Sequence, residues 1–396
     1  MVKFEEKIFM DYILIETEEQ FQAFYDDHQD VSWMGFDTEF VGEKRYYTLL
    51  CLIQVISAKG VYLIDLMKLK NIDLFLQLIE NEDIVKITHA GENDYRVLNM
   101  LYGTVPKNLF DTQLAVGFLS HVYPMSFQKL VERELEIRLP KGFMVTDWEA
   151  RPFSQKQLKY AVNDVIYLPE LWKSLTNQLV QLGRLEWAHE EMNKWEDPNY
   201  YVIDPYREAL NNNIMPHLTS REQVFMLRLF VWRRTEAEAK NYSKEMILPV
   251  KLIPIFVRNI NEGKTALMQN RLIPDRLLHN NWDRFNAMFQ DKMTEQEREI
   301  LKDIPMNSEE SQDQAFTTEL LHLFAKQKCI NNNIAPSLLI NKAALKDSPE
   351  NKEIIENVLS HGWRRALLGD DLYQWIEKHG SINFKMNGNQ CMLEMK

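Results

Sequence analysis

The sequence predicts an α/β domain, with a mixed central sheet flanked by helices, followed by two small all-α domains. In residues 1–200, apolar and β-branched runs alternate with segments of helical periodicity, which is typical of a layered α/β fold. Strand-like runs disappear after about Trp195, and helical periodicity dominates from Ser220 onward. A chain of 396 residues has room for two or three domains, and its 45% hydrophobic residues allow a sizeable core.

Apolar runs between turn residues predict the strands of the first domain, and helical periodicity predicts its helices. The predicted strands are 33–38, 49–56, 61–65 and 84–88. The predicted helices are 71–81, 92–102, 111–120, 126–135, 154–163 and 168–181.

The second half is predicted to contain two helical domains separated by an acidic linker. The stretch 197–205 is interpreted as a connection, and residues 221–240 are predicted to form a long amphipathic helix. The predicted domain boundaries are 1–200, 214–290 and 316–380, with 291–315 as the linker.

The charge distribution and the number of cysteines indicate which binding partners and which cellular compartment are expected. The net charge of −12 argues against a nucleic-acid partner, but residues 221–276 contain 11 Lys/Arg and 6 Asp/Glu, a local net of +5. Neither a membrane span nor a secretory signal is expected. The three scattered cysteines fit a reducing environment, so a cytoplasmic location is predicted.

Acidic residues at three places in the first domain form the candidate site. Asp37 and Glu39 share one face of a predicted strand, because side chains alternate along a strand. Asp94 follows the next strand, and Tyr160 and Asp164 share a helical face at i and i+4. Each has an ordinary structural explanation when taken alone: a strand-end cap, a helix-start residue or a surface ion pair.

Together these residue types suit the hydrolysis of phosphodiesters. Two divalent ions about 3.5–4 Å apart clamp the attacking and leaving oxygens, and one of them lowers the pKa of a bound water. Carboxylates are the ligands that Mg²⁺ or Mn²⁺ prefers. Because the ordinary pKa of tyrosine is about 10, Tyr160 is expected to orient the water rather than to remove its proton.

Residues 30–180 resemble the exonuclease domain of the ribonuclease D family, which belongs to the DEDD superfamily and has tyrosine in its third motif. The motifs that carry the resemblance are 36–40, 89–94 and 160–165, with connecting signatures at 110–115 and 146–153. The resemblance implies an RNase H-like fold, two-metal chemistry and 3′–5′ removal of nucleoside monophosphates.

The resemblance also implies a role for each acidic residue. Asp37 would bridge both metals, Glu39 and Asp164 would support one, and Asp94 would support the other. His89 is expected to brace the second motif or to face the substrate, because magnesium-type sites prefer oxygen ligands. The position of Asp111 before a predicted helix favours an N-cap over a catalytic role.

Residues 214–290 resemble the HRDC domain, a small helical nucleic-acid-binding module, and residues 316–378 resemble the second helical domain of the same family. The predicted nucleic-acid contacts, which are the least specific part of the interpretation, are His89, Arg151, Arg233, Arg234 and Lys240. A solvated helix face is the alternative explanation for the basic residues, since they alternate with Glu.

The leading hypothesis is therefore a 3′–5′ exoribonuclease that acts on tRNA precursors or other small structured RNA 3′ ends, with no protein partner implied. Two alternatives stay open. A DNA-directed 3′–5′ exonuclease would use the same carboxylates, and a non-catalytic RNA-binding scaffold would be expected to lack at least one of them.

Overall fold

The computed structural model describes residues 11–139, 147–304, 312–339, 361–370, 372, 382–387 and 390–395. It divides the chain into two units. Unit 1 comprises residues 1–41, 50–201 and 310–396, and unit 2 comprises residues 42–49 and 202–309. Parts of the predicted linker and of the predicted third domain, at 305–311 and 340–360, lie outside the described residues.

A six-stranded mixed sheet forms the centre of unit 1, with strand order β1-β4-β3-β2-β5-β6. The strands are β1 (Tyr12–Ile15), β2 (Trp33–Val41), β3 (Leu49–Ser57), β4 (Gly60–Asp65), β5 (Val85–Thr88) and β6 (Leu109–Asp111). Strand β2 runs parallel to β5, and β5 runs parallel to β6, whereas β3 and β4 are antiparallel. The predicted mixed sheet is confirmed, and all four predicted strands are present.

Eight α-helices accompany these strands in the described part of residues 11–201, with two short 3₁₀ helices at Asn193–Glu196 and Pro198–Tyr201. The α-helices are α1 (Glu18–His28), α2 (Asp73–Glu80), α3 (Glu92–Tyr102), α4 (Thr112–Gly117), α5 (Phe127–Leu135), α6 (Gln155–Val165), α7 (Leu168–Gln181) and α8 (Leu185–Met192). All six predicted helices are present, whereas β1, β6, α1 and α8 had not been predicted. Strands β1 and β6 are only four and three residues long, too short for a clear alternating pattern.

Gly35 marks a close approach between strands β2 and β3. A Cβ atom at this position would lie 2.8 Å from Cγ2 of Ile56 and 3.2 Å from Cβ of Leu168. The absence of a side chain therefore allows β2 to pack against β3 and the start of α7. This contact also shows that Gly35 and Ile56 point to the same face of the sheet.

Unit 2 is largely helical in residues 202–304, whereas residues 42–49 contain no helix. Its helices are α9 (Arg207–Leu210), α10 (Ser220–Lys240), α11 (Lys244–Ile247), α12 (Ile253–Asn259), α13 (Lys264–Gln269), α14 (Asp275–Gln290) and α15 (Glu295–Ile300). The predicted amphipathic helix is α10, which is capped at Thr219 by a capping box with Glu222. Its buried residues pack into one cluster with α12 and α14.

The chain returns to unit 1 after residue 309. The described elements there are α16 (Gln312–Asn331), α17 (Pro336–Leu339), α18 (Gly362–Leu368), β7 (Ile382–Asn387) and β8 (Gln390–Met395). The backbone N–H of Ala335 donates to the carbonyl of Gly117 at 2.8 Å, and Leu338 packs on Gly117. The structure groups residues 310–396 with the sheet of unit 1, and the predicted separate domain at 316–380 stays a prediction.

A buried carboxylate connects α8 with α18 within unit 1. Oε1 of Glu191 accepts a 2.7 Å hydrogen bond from Nε1 of Trp363 and also pairs with the guanidinium of Arg364. Burial raises the pKa of Glu191, but the hydrogen bond and the charge of Arg364, with that of Lys194, outweigh burial and lower it overall. Glu191 therefore stabilises the attachment of α18 as an anion.

We predict that Glu191→Ala lowers the free energy of unfolding by about 3 kcal/mol, because it leaves a buried indole N–H and a guanidinium without their partner. Urea denaturation at pH 7 measures this loss, with Glu186→Ala on the exposed face of the same helix as the control. Because the pKa of Glu191 is lowered on folding, its contribution is present at neutral pH and disappears as the pH falls through its folded-state pKa. An unchanged stability at pH 7 would contradict this account.

Candidate active site

Three carboxylates come together on one face of the sheet. Asp37 and Glu39 lie on β2, and Asp164 lies on α6. One oxygen of each side chain can be chosen so that all three lie within 4.8 Å of one another. The predicted convergence of the strand pair with the helix residue is therefore present in the structure.

The local sequence explains the placement of α6. Ser154 and Gln157 form a capping box that starts the helix, and Nε2 of Gln157 donates to the carbonyl of Asp147 at 2.9 Å. One turn of helix separates Tyr160 from Asp164, so both side chains face the carboxylates of β2.

Asp94 joins the site through a different contact. It lies in the first turn of α3 and is buried, and its Oδ1 accepts a hydrogen bond from the hydroxyl of Thr38. Thr38 stands between the two acidic residues of β2, so this bond joins the start of α3 to the same strand. Thr38 was not singled out from the sequence, because a threonine in a strand usually indicates only β propensity.

Asp111 supports the start of α3 through a hydrogen bond to the residue that precedes this helix. Its two oxygens accept hydrogen bonds from the backbone N–H groups of Leu114 and Gly91, both at 2.8 Å, and from the hydroxyl of Thr88 at 3.1 Å. The predicted N-cap role of Asp111 is confirmed at α4. The bond to Gly91 also fixes the residue that precedes α3, and so the backbone that carries Asp94.

Burial raises the pKa of every carboxylate in the cluster, and repulsion between cluster members adds to this effect at Asp37 and Glu39. For Asp37, burial acts first, followed by the charges of Asp94, Asp164 and Glu39. Burial and the charges of Asp164 and Asp94 raise the pKa of Glu39 to about 8. Burial also raises the pKa of Asp164 to about 7 and that of Asp94 to about 6.

Such a cluster fits a divalent cation. In the absence of positive charge, the carboxylates can only reduce their repulsion by binding protons. Oδ2 of Asp164 is buried and has no hydrogen-bond partner among the described residues. Oxygen ligands of this kind are the preferred donors for Mg²⁺ and Mn²⁺.

Tyr160 contacts the cluster through its hydroxyl group. Burial and then the charges of Asp164, Glu39 and Asp37 raise the pKa of Tyr160 well above its ordinary value. The hydroxyl donates to Asp164, and this bond partly offsets the effect of burial on the carboxylate. The ring lies beside Trp148, with centroids 6.2 Å apart. Tyr160 is therefore protonated at neutral pH.

His89 supports the loop before α3 rather than the acidic cluster. Its Nε2 lies 3.0 Å from the carbonyl oxygen of Met125, and Nδ1 lies 2.9 Å from Oγ1 of Thr112. Burial lowers its pKa to about 4, so the ring is neutral at physiological pH. These contacts favour bracing of the second motif over facing the substrate, and the predicted RNA contact of His89 stays a prediction.

Two of the predicted RNA contacts are arginines with structural partners. Arg151 makes a bidentate ion pair with buried Asp65, at 2.6 Å for both bonds, and its guanidinium lies over the ring of Phe153. Arg233 is only 3% exposed and pairs with Glu208 and Glu245. These contacts occupy donors of both guanidinium groups, and the predicted RNA contacts of Arg151 and Arg233 stay predictions.

Two further predicted contacts, Arg234 and Lys240, are more accessible. Nε of Arg234 donates to the hydroxyl of Tyr46 at 3.1 Å, within unit 2. Lys240 is exposed and pairs with Glu236 at 2.8 Å. Nothing in these contacts requires RNA, and both assignments stay predictions.

Comparison with known proteins agrees with the geometry of the site. A family model described as 3′–5′ exonuclease matches residues 12–180. Ribonuclease D of Bartonella henselae is 30% identical over 367 residues, which cover 90% of this chain and 88% of the relative. Ribonuclease D of Zymomonas mobilis is 29% identical over 371 residues, which cover 92% of this chain and 93% of the relative.

The solved structures include a similar fold. The crystal structure of Escherichia coli RNase D, described as an exoribonuclease involved in structured RNA processing, matches with a TM-score of 0.78. The match covers 93% of this chain and all of the other, at 20% sequence identity. At that identity the likeness shows a shared fold.

The raised pKa values predict how the stability of the metal-free protein depends on pH. Glu39 binds its proton more tightly when folded, so its contribution falls as pH rises from about 4.5, the ordinary pKa, to about 8. We predict that Glu39→Gln, which cannot ionise, is about as stable as the parent protein at pH 4.5 and more stable at pH 8. Guanidinium unfolding in EDTA measures the difference, which should grow steadily with pH.

Glu170→Gln, an exposed change on α7, is the control and should give the same difference at both pH values. A Glu39→Gln effect that does not vary with pH would show that repulsion within the cluster does not act on stability.

Proposed function

The chain belongs to the ribonuclease D family, and we propose that it acts as a 3′–5′ exoribonuclease through the acidic cluster on β2 and α6. The observation that carries the proposal is the placement of three carboxylate oxygens within 4.8 Å of one another, beside a protonated tyrosine. The proposed reaction is hydrolysis of the terminal phosphodiester, with release of nucleoside 5′-monophosphates.

Divalent cations complete the proposed site. Exonuclease domains of this type use divalent metals, and we propose Mg²⁺ or Mn²⁺ because the available ligands are carboxylate oxygens. When bound, the cations would activate a water and offset the charge of the phosphodiester. Asp37 would contact both cations, and Glu39 and Asp164 would hold one of them.

Asp94 would hold the second cation. Its carboxylate is already oriented toward β2 by the hydroxyl of Thr38. The bonds of Asp111 fix the backbone that precedes α3, so Asp94 sits on a rigid element. A ligand held in this way loses little conformational freedom on binding, which favours affinity.

Tyr160 would orient the attacking water. Because its pKa is raised, the hydroxyl keeps its proton and can donate a hydrogen bond, which makes it unsuitable as a general base at neutral pH. Its bond to Asp164 fixes the direction of the hydroxyl. Tyr160 would therefore not accept the proton of the water. A bound cation would instead lower the pKa of the water, so that the proton is lost more easily.

RNA is the proposed substrate class because the curated relatives are ribonucleases. Within that class we propose tRNA precursors or other small structured RNAs with 3′ ends, and a cytoplasmic location. Cys51 and Cys329 are buried cysteines, and cysteines in the reduced state are expected in a reducing compartment. Among the described residues, no helix has the length and apolar character needed to cross a membrane.

Unit 2 is proposed to be the HRDC-like domain, and it would bind RNA through exposed cations. Arg228 and Arg233 are paired with glutamates, so the local excess of positive charge must act through other residues. Lys251 and Arg258 are exposed and have no ion pair among the described residues. They are seven residues apart, on successive helical elements, and suit contacts to phosphate oxygens.

We predict that Asp164→Asn lowers the rate of nucleotide release by about 100-fold or more, because it removes a charged ligand of the proposed cation. Chromatography of the products from a 3′-tailed RNA measures the rate, and Glu170→Gln serves as the control. EDTA should stop the parent protein, and Mg²⁺ or Mn²⁺ should restore it. Full activity of folded Asp164→Asn would reject the proposed site.

A single-stranded DNA of matched sequence distinguishes the two nuclease hypotheses. Faster release from RNA is expected, whereas a clear preference for DNA would favour the alternative DNA exonuclease. Absence of release from both, in protein that binds the cation, would favour the non-catalytic scaffold.

We predict that the double variant Lys251→Gln/Arg258→Gln weakens RNA binding and reduces the slope of log K against log salt by about 1.4, since each phosphate contact contributes roughly 0.7 for a single strand. Fluorescence anisotropy at several salt concentrations measures both quantities. The control is Arg298→Gln/Lys302→Gln, which removes two exposed cations already paired with Glu295 and Glu299. An equal loss of RNA affinity in both double variants would show that net charge determines binding, and that Lys251 and Arg258 do not form a specific RNA-binding surface.

A further inference from the structure

Gln54 is a buried polar residue whose amide lacks ordinary partners. It lies on β3 in the middle of the sheet and is completely buried. Neither Nε2 nor Oε1 makes a hydrogen bond of standard geometry with the described residues. A buried amide without partners is destabilising, and nearly all buried polar groups in proteins are satisfied. This residue therefore requires an explanation that packing alone does not provide.

The sheet places Gln54 on the same face as the acidic cluster. Gly35 on β2 and Ile56 on the neighbouring β3 face the same side, because a Cβ at Gly35 would touch Ile56. Side chains alternate along each strand, so Asp37 and Glu39 share this face, and Gln54 does so too. The residue is thus a cross-strand neighbour of the two carboxylates of β2.

The influences on the pKa of Glu39 indicate that this residue is the carboxylate that Gln54 faces. Among the influences on the pKa of Glu39, the side chain of Gln54 is the one that favours the anion, through hydrogen bonding. The amide is therefore close to the carboxylate although the bond does not meet standard geometry.

We propose that Gln54 is a positioning residue for the reaction: its amide N–H donates to Glu39 and orients that carboxylate toward the divalent cation. The inference rests on the proposed function, because it assumes that Glu39 is a metal ligand. Hydrogen bonds from outer residues commonly fix the orientation of ligating carboxylates, and their loss weakens metal binding about 10- to 100-fold.

This role predicts opposite effects on stability and on metal binding. In the metal-free protein the buried amide lowers stability, because it lacks hydrogen-bond partners. An apolar side chain of the same length should therefore leave the stability unchanged or raise it. In the metal-bound protein the amide is needed. A merely structural glutamine would behave differently, because its replacement would lower stability and leave the affinity of the folded protein for metal unchanged.

The test uses Gln54→Met in the full-length protein, since methionine is unbranched and similar in length but has no amide. We expect a Tm in EDTA that is equal to or higher than that of the parent. We also expect about tenfold weaker binding of Mn²⁺, measured by isothermal titration without RNA. Gln54→Leu is the second variant and should show the same pattern.

Ser57→Ala on the same strand is the matched control. The hydroxyl of Ser57 lies 2.8 Å from Nε2 of His28. Because side chains alternate along a strand, Ser57 lies on the face of the sheet opposite Gln54 and the acidic residues of β2. Its removal should lower Tm and leave the affinity for Mn²⁺ unchanged.

Unchanged Mn²⁺ affinity in Gln54→Met overturns the inference, and so does a loss of folding in EDTA in both Gln54 variants. Failure of the parent protein to bind Mn²⁺ would instead reject the proposed metal site itself. Nucleotide release by the parent protein tests the proposed function separately, so the two failures are distinguishable.

Discussion

The crowding of carboxylates on one face of β2 is the constraint on which the rest of unit 1 depends. Asp37, Glu39 and Asp164 place oxygens within 4.8 Å of one another, and burial raises the pKa of each, with the charges of neighbouring carboxylates adding to this effect at Asp37 and Glu39. Flexible side chains on a loop would separate to reduce this repulsion. A strand at the centre of a sheet and a helix with a capping box prevent that separation. The remaining electrostatic repulsion between the carboxylates favours the binding of divalent cations, whose positive charge would offset it.

The residues around the cluster hold its members by hydrogen bonds rather than by charge. Thr38 connects β2 to Asp94, and Asp111 connects the start of α4 to Gly91 before α3. His89 is neutral and contacts Thr112 and Met125. These partners add no positive charge beside the carboxylates. The structure thus orients the acidic groups while leaving their repulsion in place for a cation to offset.

Charge in the sequence is by itself a weak guide to RNA binding, because it does not show which cations are already paired. Arg151 neutralises Asp65 in unit 1, and Arg233 pairs with glutamates in unit 2. Both arginines looked like phosphate contacts in the sequence, where a buried ion pair cannot be distinguished from an exposed cation. The partners of Arg151 lie far from it along the chain, since Asp65 is 86 residues away. Only a folded chain brings them together.

The sequence by itself determined the alternating α/β first domain, the helical second half and the acidic positions, because these depend on local periodicity and on motif spacing. It also predicted Asp111 as an N-cap, since a cap is decided within one turn of helix. The tertiary structure decided which residues support the site: Thr38 and Gln54 gain their roles from neighbours on other elements. It also decided that α17 and α18 pack in unit 1, because burial of Trp363 against Glu191 depends on contacts between residues more than 170 positions apart. Such long-range contacts leave no periodic signal in the sequence.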